Sequence, residues 1–203
     1  MSRIIITRAD EVVETLAARR AAQQPVRAVL SIEHPGAAAG QKGAAPRIAD
    51  HGFGDVPQKI LAFWDAEQVV HQGPDKEQVS EGLAFVMEHL AVNDNGDVLI
   101  HCHAGKSRSV AMALGVLSLL KPHADEKELI DDLLAIRPVA APNIIVVAMV
   151  DELTGRGGKL LKAVAEHPVL TAQREETEAR RQNMLKNNPE MLKKLHPEKF
   201  FKP

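Results

Sequence analysis

One stretch limits the fold more than any other. Val98-Leu99-Ile100 is fully apolar, the next residues turn polar around Gly105, and Ser107 to Leu120 is apolar nearly all round. A strand with no polar alternation is covered on both faces, and a helix apolar on every side is buried. A chain that must bury such a strand and such a helix side by side is expected to fold in layers, with helices on both sides of a sheet.

The rest of the sequence repeats that alternation. Ile4-Ile5-Ile6 reads as a strand, followed by a helix over Asp10 to Arg20 whose apolar positions are Val12, Val13, Leu16 and Ala17, with Asp10 or Thr7 as cap. Val26 to Ile32 is a second strand, and 34–49 is a Gly-, Ala- and Pro-rich loop. Lys59 to Trp64 is a third strand, and Asp65 to Gly73 a loop. Pro74 opens a helix through Leu90, with Asp75 and Glu77 at its positive end. Asn93 to Asp97 is a turn. Asp125 to Ile136 and Pro142 to Leu153 are two more helices. The expected class is α/β, a single mostly parallel sheet flanked by helices.

From about Thr171 the composition changes to a charged helical segment with opposite charges at i,i+4 spacing, such as Glu176 and Arg180. We divide the chain into 1–168, the folded body, and 169–203, a charged C-terminal helix and tail. Two readings of that tail stay open: a solvated helix, or an arm that packs on a second copy of the chain or covers the site.

A length of 203 residues suits one sizeable core. A net charge of -2, aromatic residues at 3% and the absence of Tyr argue against nucleic acid as a partner. The longest apolar stretch, Val110 to Leu120, is too short to insert across a membrane. One cysteine allows no internal disulfide, and the N-terminal apolar run is short for a signal peptide. Both fit a cytoplasmic protein.

The turn between the buried strand and helix carries the chemistry: His101-Cys102-His103-Ala104-Gly105-Lys106-Ser107-Arg108-Ser109. A loop running from a strand end into a helix start gathers free backbone N–H groups and the positive end of the helix dipole. Gly105 lets the backbone curl, and Arg108 adds a planar cationic fork for two phosphate oxygens. Cys102 stands at the mouth of that anion site, where the same positive field favours its thiolate. Ser109 can donate a hydrogen bond to the sulfur, and His101 can orient the loop from behind. His103, Ala104, Gly105, Lys106, Ser107 and Arg108 make up the expected phosphate loop. A nucleotide-binding P-loop needs Gly where Ile100 stands. No second Cys/His cluster completes a metal site around His101-Cys102-His103, so no metal and no cofactor are expected.

The string His-Cys-x-Ala-Gly-x-Ser-Arg-Ser over 101–109 resembles the phosphate-binding loop of the protein tyrosine phosphatase superfamily, in particular its compact dual-specificity branch. More weakly, the resemblance extends from Val26 to Leu153. It implies a phosphomonoester hydrolase working through a phosphocysteine on Cys102, with a phosphorylated protein or a small phosphomonoester as substrate. A cation at Lys106 resembles loops of phosphoinositide or inositol phosphate phosphatases, which keeps that substrate class open beside phosphotyrosine. A phosphate-binding module without turnover, a sulfur transferase and an arsenate reductase are the rival classes.

Cleaving a P–O bond to an alkoxide or phenoxide needs a proton donor off the loop. Asp65 follows the third strand and Trp64, which is expected to shield it and raise its pKa. Asp75 is the competitor, with a helix cap as its bland role, and Glu67 a minor one. The resemblance places the acid on a loop after such a strand, which fits Asp65. It also matches Arg137-Pro138 and Pro142-Asn143 to the start of a late helix beside the phosphate loop. Asn143 is then either a cap or a supporting residue that helps place the hydrolytic water. Arg137 is either a second anion contact or a surface residue.

Overall fold

The computed structural model describes residues 4–91 and 96–195. The first three residues of the Asn93–Asp97 turn, and Pro197 and Pro203 of the tail, lie outside the described residues. In chain order the elements are β1 (Ile4–Arg8), α1 (Val12–Ala21), β2 (Val26–Glu33), β3 (Gln58–Ala62), α2 (Lys76–Ala91), β4 (Asp97–Cys102) and α3 (Arg108–Leu120). They are followed by α4 (Glu126–Ile136), α5 (Ile144–Leu153), α6 (Lys159–Glu166), α7 (Pro168–Lys186) and α8 (Pro189–Leu195).

The strands form one all-parallel sheet in the order β1-β4-β2-β3. β4 is therefore interior, as its unbroken apolar run requires. Side chains of a strand alternate between faces. Val98, Ile100 and Cys102 point into the larger core, with Leu30, Leu83, Met112, Leu114 and Val147. Leu99 points the other way, into a smaller core with Val12, Leu16, Val29, Ile48 and Phe53. The period of two thus delivers Cys102 to the side on which α3 packs.

α3 is the axle of the larger layer. Every residue from Arg108 to Ser118 is buried, and Leu119 and Leu120 emerge only at its end. Two glycines let neighbouring helices close on it. A Cβ at Gly82 of α2 would lie 2.7 Å from Met112, and one at Gly115 of α3 would lie 2.8 Å from Leu83 and 3.0 Å from Val150. Either would force side chains out of place in a close-packed interior.

Several boundaries differ from the sequence reading. The third strand stops at Ala62, because Phe63 and Trp64 turn into the loop where the Phe63 carbonyl serves Arg108. α2 begins at Lys76, not Pro74, because Asp75 caps it by accepting from the Gln78 amide at 2.8 Å. α5 begins after Pro142, capped by Asn143. α6 was not anticipated. It is short, and its start is set by buried Asp151, which accepts from the amides of Gly158 and Leu161 at 2.5 and 3.0 Å.

Leu114 is fully buried at the centre of α3 and Leu120 is 41% exposed at its end. Leu114→Ala is expected to lower unfolding free energy by ~2–5 kcal/mol, whereas Leu120→Ala should cost less than ~1 kcal/mol. Urea titration followed by circular dichroism measures both, and equal losses would contradict a core centred on α3.

Candidate active site

The loop 103–107 connects β4 to α3 and is held from outside by its carbonyls. The His103 carbonyl accepts from the Ala9 amide at 3.3 Å, and that of Lys106 from Ala141 at 2.7 Å. The Gly105 carbonyl accepts from Arg137 Nε at 2.9 Å, and that of Ser107 from the Asn143 amide at 3.4 Å. In a planar trans peptide the N–H points opposite to the C=O. Turning these carbonyls outward therefore turns the amides of residues 104, 106, 107 and 108 inward, an arrangement that can take an anion. Gly105 makes this path feasible. Its φ is +62°, and a Cβ there would lie 2.5 Å from the Thr7 carbonyl oxygen of β1. Arg137 is half-buried and tethers the loop through Nε.

Arg108 is the largest fully buried side chain, at 1% exposure. Its Nη1 donates to the carbonyls of Glu33 at 3.1 Å and Phe63 at 2.8 Å, at the ends of β2 and β3. That anchors one edge of the guanidinium. Nε is buried with no hydrogen-bond partner in the protein, so a donor remains for an oxyanion.

Cys102 ends β4, with its Sγ 3.3 Å from Ser109 Oγ. Burial pushes the thiol up, but the Arg108 guanidinium and hydrogen bonds from the Ser109 hydroxyl and amide outweigh it, and Cys102 titrates below the ordinary thiol. His101 lies on the opposite face of β4. Gln58 Nε2 donates to Ser31 Oγ at 2.8 Å, and Ser31 Oγ is 2.7 Å from His101 Nε2. Burial depresses His101 to a pKa of about 4, so it sits behind the loop as a neutral ring.

Asp65 is brought to the same place from the loop after β3. Its Oδ1 accepts from Ser107 Oγ at 2.7 Å and Asn143 Nδ2 at 2.9 Å, and lies 3.2 Å from Arg181 Nη2. Oδ2 takes no part in these contacts. Asn143 both caps α5, through Val146 N at 3.1 Å, and holds the carboxylate. The expectation that Asp65 titrates high is corrected. Burial does raise it, but Arg108, Arg181 and the bonds from Ser107 and Asn143 win, and the carboxyl falls below its usual range. Asp75 stays exposed, engaged with Gln78. Glu67 reaches the α5 start, 3.4 Å from the Ile144 amide.

A cavity of about 310 Å³ opens over the loop, lined by His34, Trp64, Asp65, His103 and Ala104 above Arg108. His34 sits between Trp64 and His103 in tilted ring contacts, with centroids 5.1 and 5.7 Å away. Burial and the nearby Arg108 hold His34 at about 4, so it is neutral. Lys106 is half-exposed and not part of this lining. The other side of the cavity is Arg181, Met184, Leu185, Met191 and Leu195 of α7 and α8. The sequence offered an arm over the site only as one of two readings, since α7 is polar and shows no apolar stripe. No group of three His, Cys, Asp or Glu among the described residues is placed to hold a metal. No described helix is long and apolar enough to cross a membrane.

No protein-family model matches the sequence, and no curated protein matches it. Solved structures do match. The human tyrosine phosphatase-like serine/threonine/tyrosine-interacting protein superposes with a TM-score of 0.58 at 15% identity, covering 75% of this chain and 91% of that one. Human DUSP28 gives 0.55 at 13%, covering 77% and 94%. The Yvh1 phosphatase domain from Chaetomium thermophilum gives 0.53 at 20%, covering 79% and 95%. With the parallel sheet and strand–loop–helix unit described above, these likenesses establish that the chain has the dual-specificity-type fold of the protein tyrosine phosphatase superfamily.

Proposed function

We propose that the protein hydrolyses phosphomonoesters through a phosphocysteine intermediate. One observation carries this reading: a thiol of lowered pKa, an anchored guanidinium with an unused buried donor, and a carboxylate with one oxygen uncommitted converge on one amide-lined loop.

In the first step the Cys102 thiolate attacks phosphorus as the ester P–O bond breaks. The inward amides and Arg108 hold the equatorial oxygens, where the charge of the transferring phosphoryl group resides. Asp65 delivers its proton to the departing oxygen, giving a neutral alcohol or phenol. Oδ2 suits this task, because Oδ1 already accepts hydrogen bonds. In the second step the Asp65 carboxylate takes a proton from water, the water oxygen attacks phosphorus, and the S–P bond breaks. Ser109 Oγ, beside Sγ, stabilises the departing thiolate. The products are alcohol and inorganic phosphate, and the protein returns to its starting state. The charge on a bound phosphate offsets that of Arg108, which eases protonation of Asp65 in the complex.

Cys102→Ser should abolish release of phosphate from p-nitrophenyl phosphate, and retained turnover would sink the mechanism. Asp65→Asn should lower kcat on phenyl phosphate by about 10²–10⁴-fold, while Asp75→Asn stays near wild type. The reverse order would move the acid to Asp75.

The pH dependence follows from the two depressed groups. The thiolate forms at lower pH than an ordinary thiol, and Asp65 loses its proton at lower pH than an ordinary carboxyl. kcat/KM should therefore peak on the acid side of neutrality and fall as pH rises. Alkylation of Cys102 by iodoacetate should titrate with a midpoint below the ~8.5 of an ordinary thiol. Arg108→Ala should move that midpoint upward, and an unchanged midpoint would remove Arg108 as the cause.

A further inference from the structure

α7 and α8 touch the loop that carries Asp65 at both of its ends. Near the start, Arg181 of α7 reaches Asp65 Oδ1 at 3.2 Å, with its side chain only 13% exposed and its other partner Glu178 on the same helix. Near the end, the His71 amide donates to the Leu195 carbonyl of α8 at 3.2 Å. The loop also closes on itself, the Trp64 amide donating to the Gln72 carbonyl at 3.0 Å. The arm is fixed in turn. Leu170 is fully buried at its base, and Gln173 Nε2 donates to the Pro138 carbonyl at 2.9 Å, in the segment that tethers the phosphate loop. α7 is otherwise polar, with Leu170 its one buried residue. Its placement therefore depends on these few specific contacts, not on a broad apolar seam.

From this geometry we infer that the C-terminal arm is a clamp on the acid loop, and that Arg181 is the positioning residue that orients Asp65 toward the leaving oxygen. The inference rests on the reading of Asp65 as the general acid. Arg181 supplies the third contact to Oδ1, beside those of Ser107 and Asn143, which leaves the proton to Oδ2. It also adds a cation that the bare loop lacks. The groups facing Asp65 are Arg108 of α3, Arg181 of α7, the Cys102 thiol of β4, Glu67 of its own loop and neutral His34. Removing Arg181 deletes one of the two cations in that set. Asp65 should then hold its proton to higher pH while pointing less accurately.

The test compares Arg181→Met, Arg181→Lys and Asp65→Asn in the full chain, each at its own pH optimum, on phenyl phosphate and on p-nitrophenyl phosphate. A poor leaving group needs a placed proton and a good one needs it far less. Arg181→Met should lose about tenfold or more on phenyl phosphate, well beyond its loss on p-nitrophenyl phosphate, and its basic limb should move to higher pH. Arg181→Lys should recover much of both, and unchanged thermal midpoints would exclude a fold defect. If Asp65→Asn is severe on phenyl phosphate while both Arg181 variants overlay the wild type, the clamp is wrong and the acid stands. If Asp65→Asn is harmless, the acid reading fails and the clamp with it.

Discussion

Burying a guanidinium from water costs several kcal/mol unless the site answers its charge and its donors, and Arg108 is almost wholly buried at the first turn of α3, where the helix dipole is also positive. The surroundings answer that cost in two ways. The carbonyls of Glu33 and Phe63 take Nη1, which ties α3 to the ends of β2 and β3. Two acidic groups, the thiol of Cys102 and the carboxyl of Asp65, lie within its field and both titrate lower than usual. The same charge that makes the arginine expensive makes the cysteine more acidic, so the lowered thiol pKa is a consequence of how the loop is buried.

The site also shows why its members come from distant parts of the chain. Cys102 and Arg108 share a short loop, but the carboxylate arrives from the end of β3, its support from Asn143 at the start of α5, and its second cation from α7. In a parallel sheet the strand C-termini lie along one edge, and Glu33, Phe63 and Cys102 meet there. Helix starts and the loops feeding them gather at that edge as well.

Much of this was legible in the residues. The strand–loop–helix unit at 98–120 dictates an interior strand and a central helix, and both are found. Asp75 read as a cap from its place before a helix, and it is one. The titration of Asp65 was not legible. The neighbours that depress it are Arg108 and Arg181, and the latter stands far away in sequence on a helix without an apolar stripe. The tether from Arg137 was not legible either, since its partner is a backbone carbonyl, which leaves no trace in sequence. α6 escaped because eight residues give too few periods for a pattern, and the side chain that holds its start, Asp151, lies inside the preceding helix.

The outward carbonyls of the 103–107 loop have a thermodynamic meaning. A flexible loop that wraps an anion loses conformational freedom each time it binds. Here Ala9, Arg137, Ala141 and Asn143 have already fixed the peptide planes. The entropy is lost once, during folding, and is drawn from the stability of the whole domain. An anion that enters such a loop would then need only desolvation and alignment, with little further ordering of the backbone.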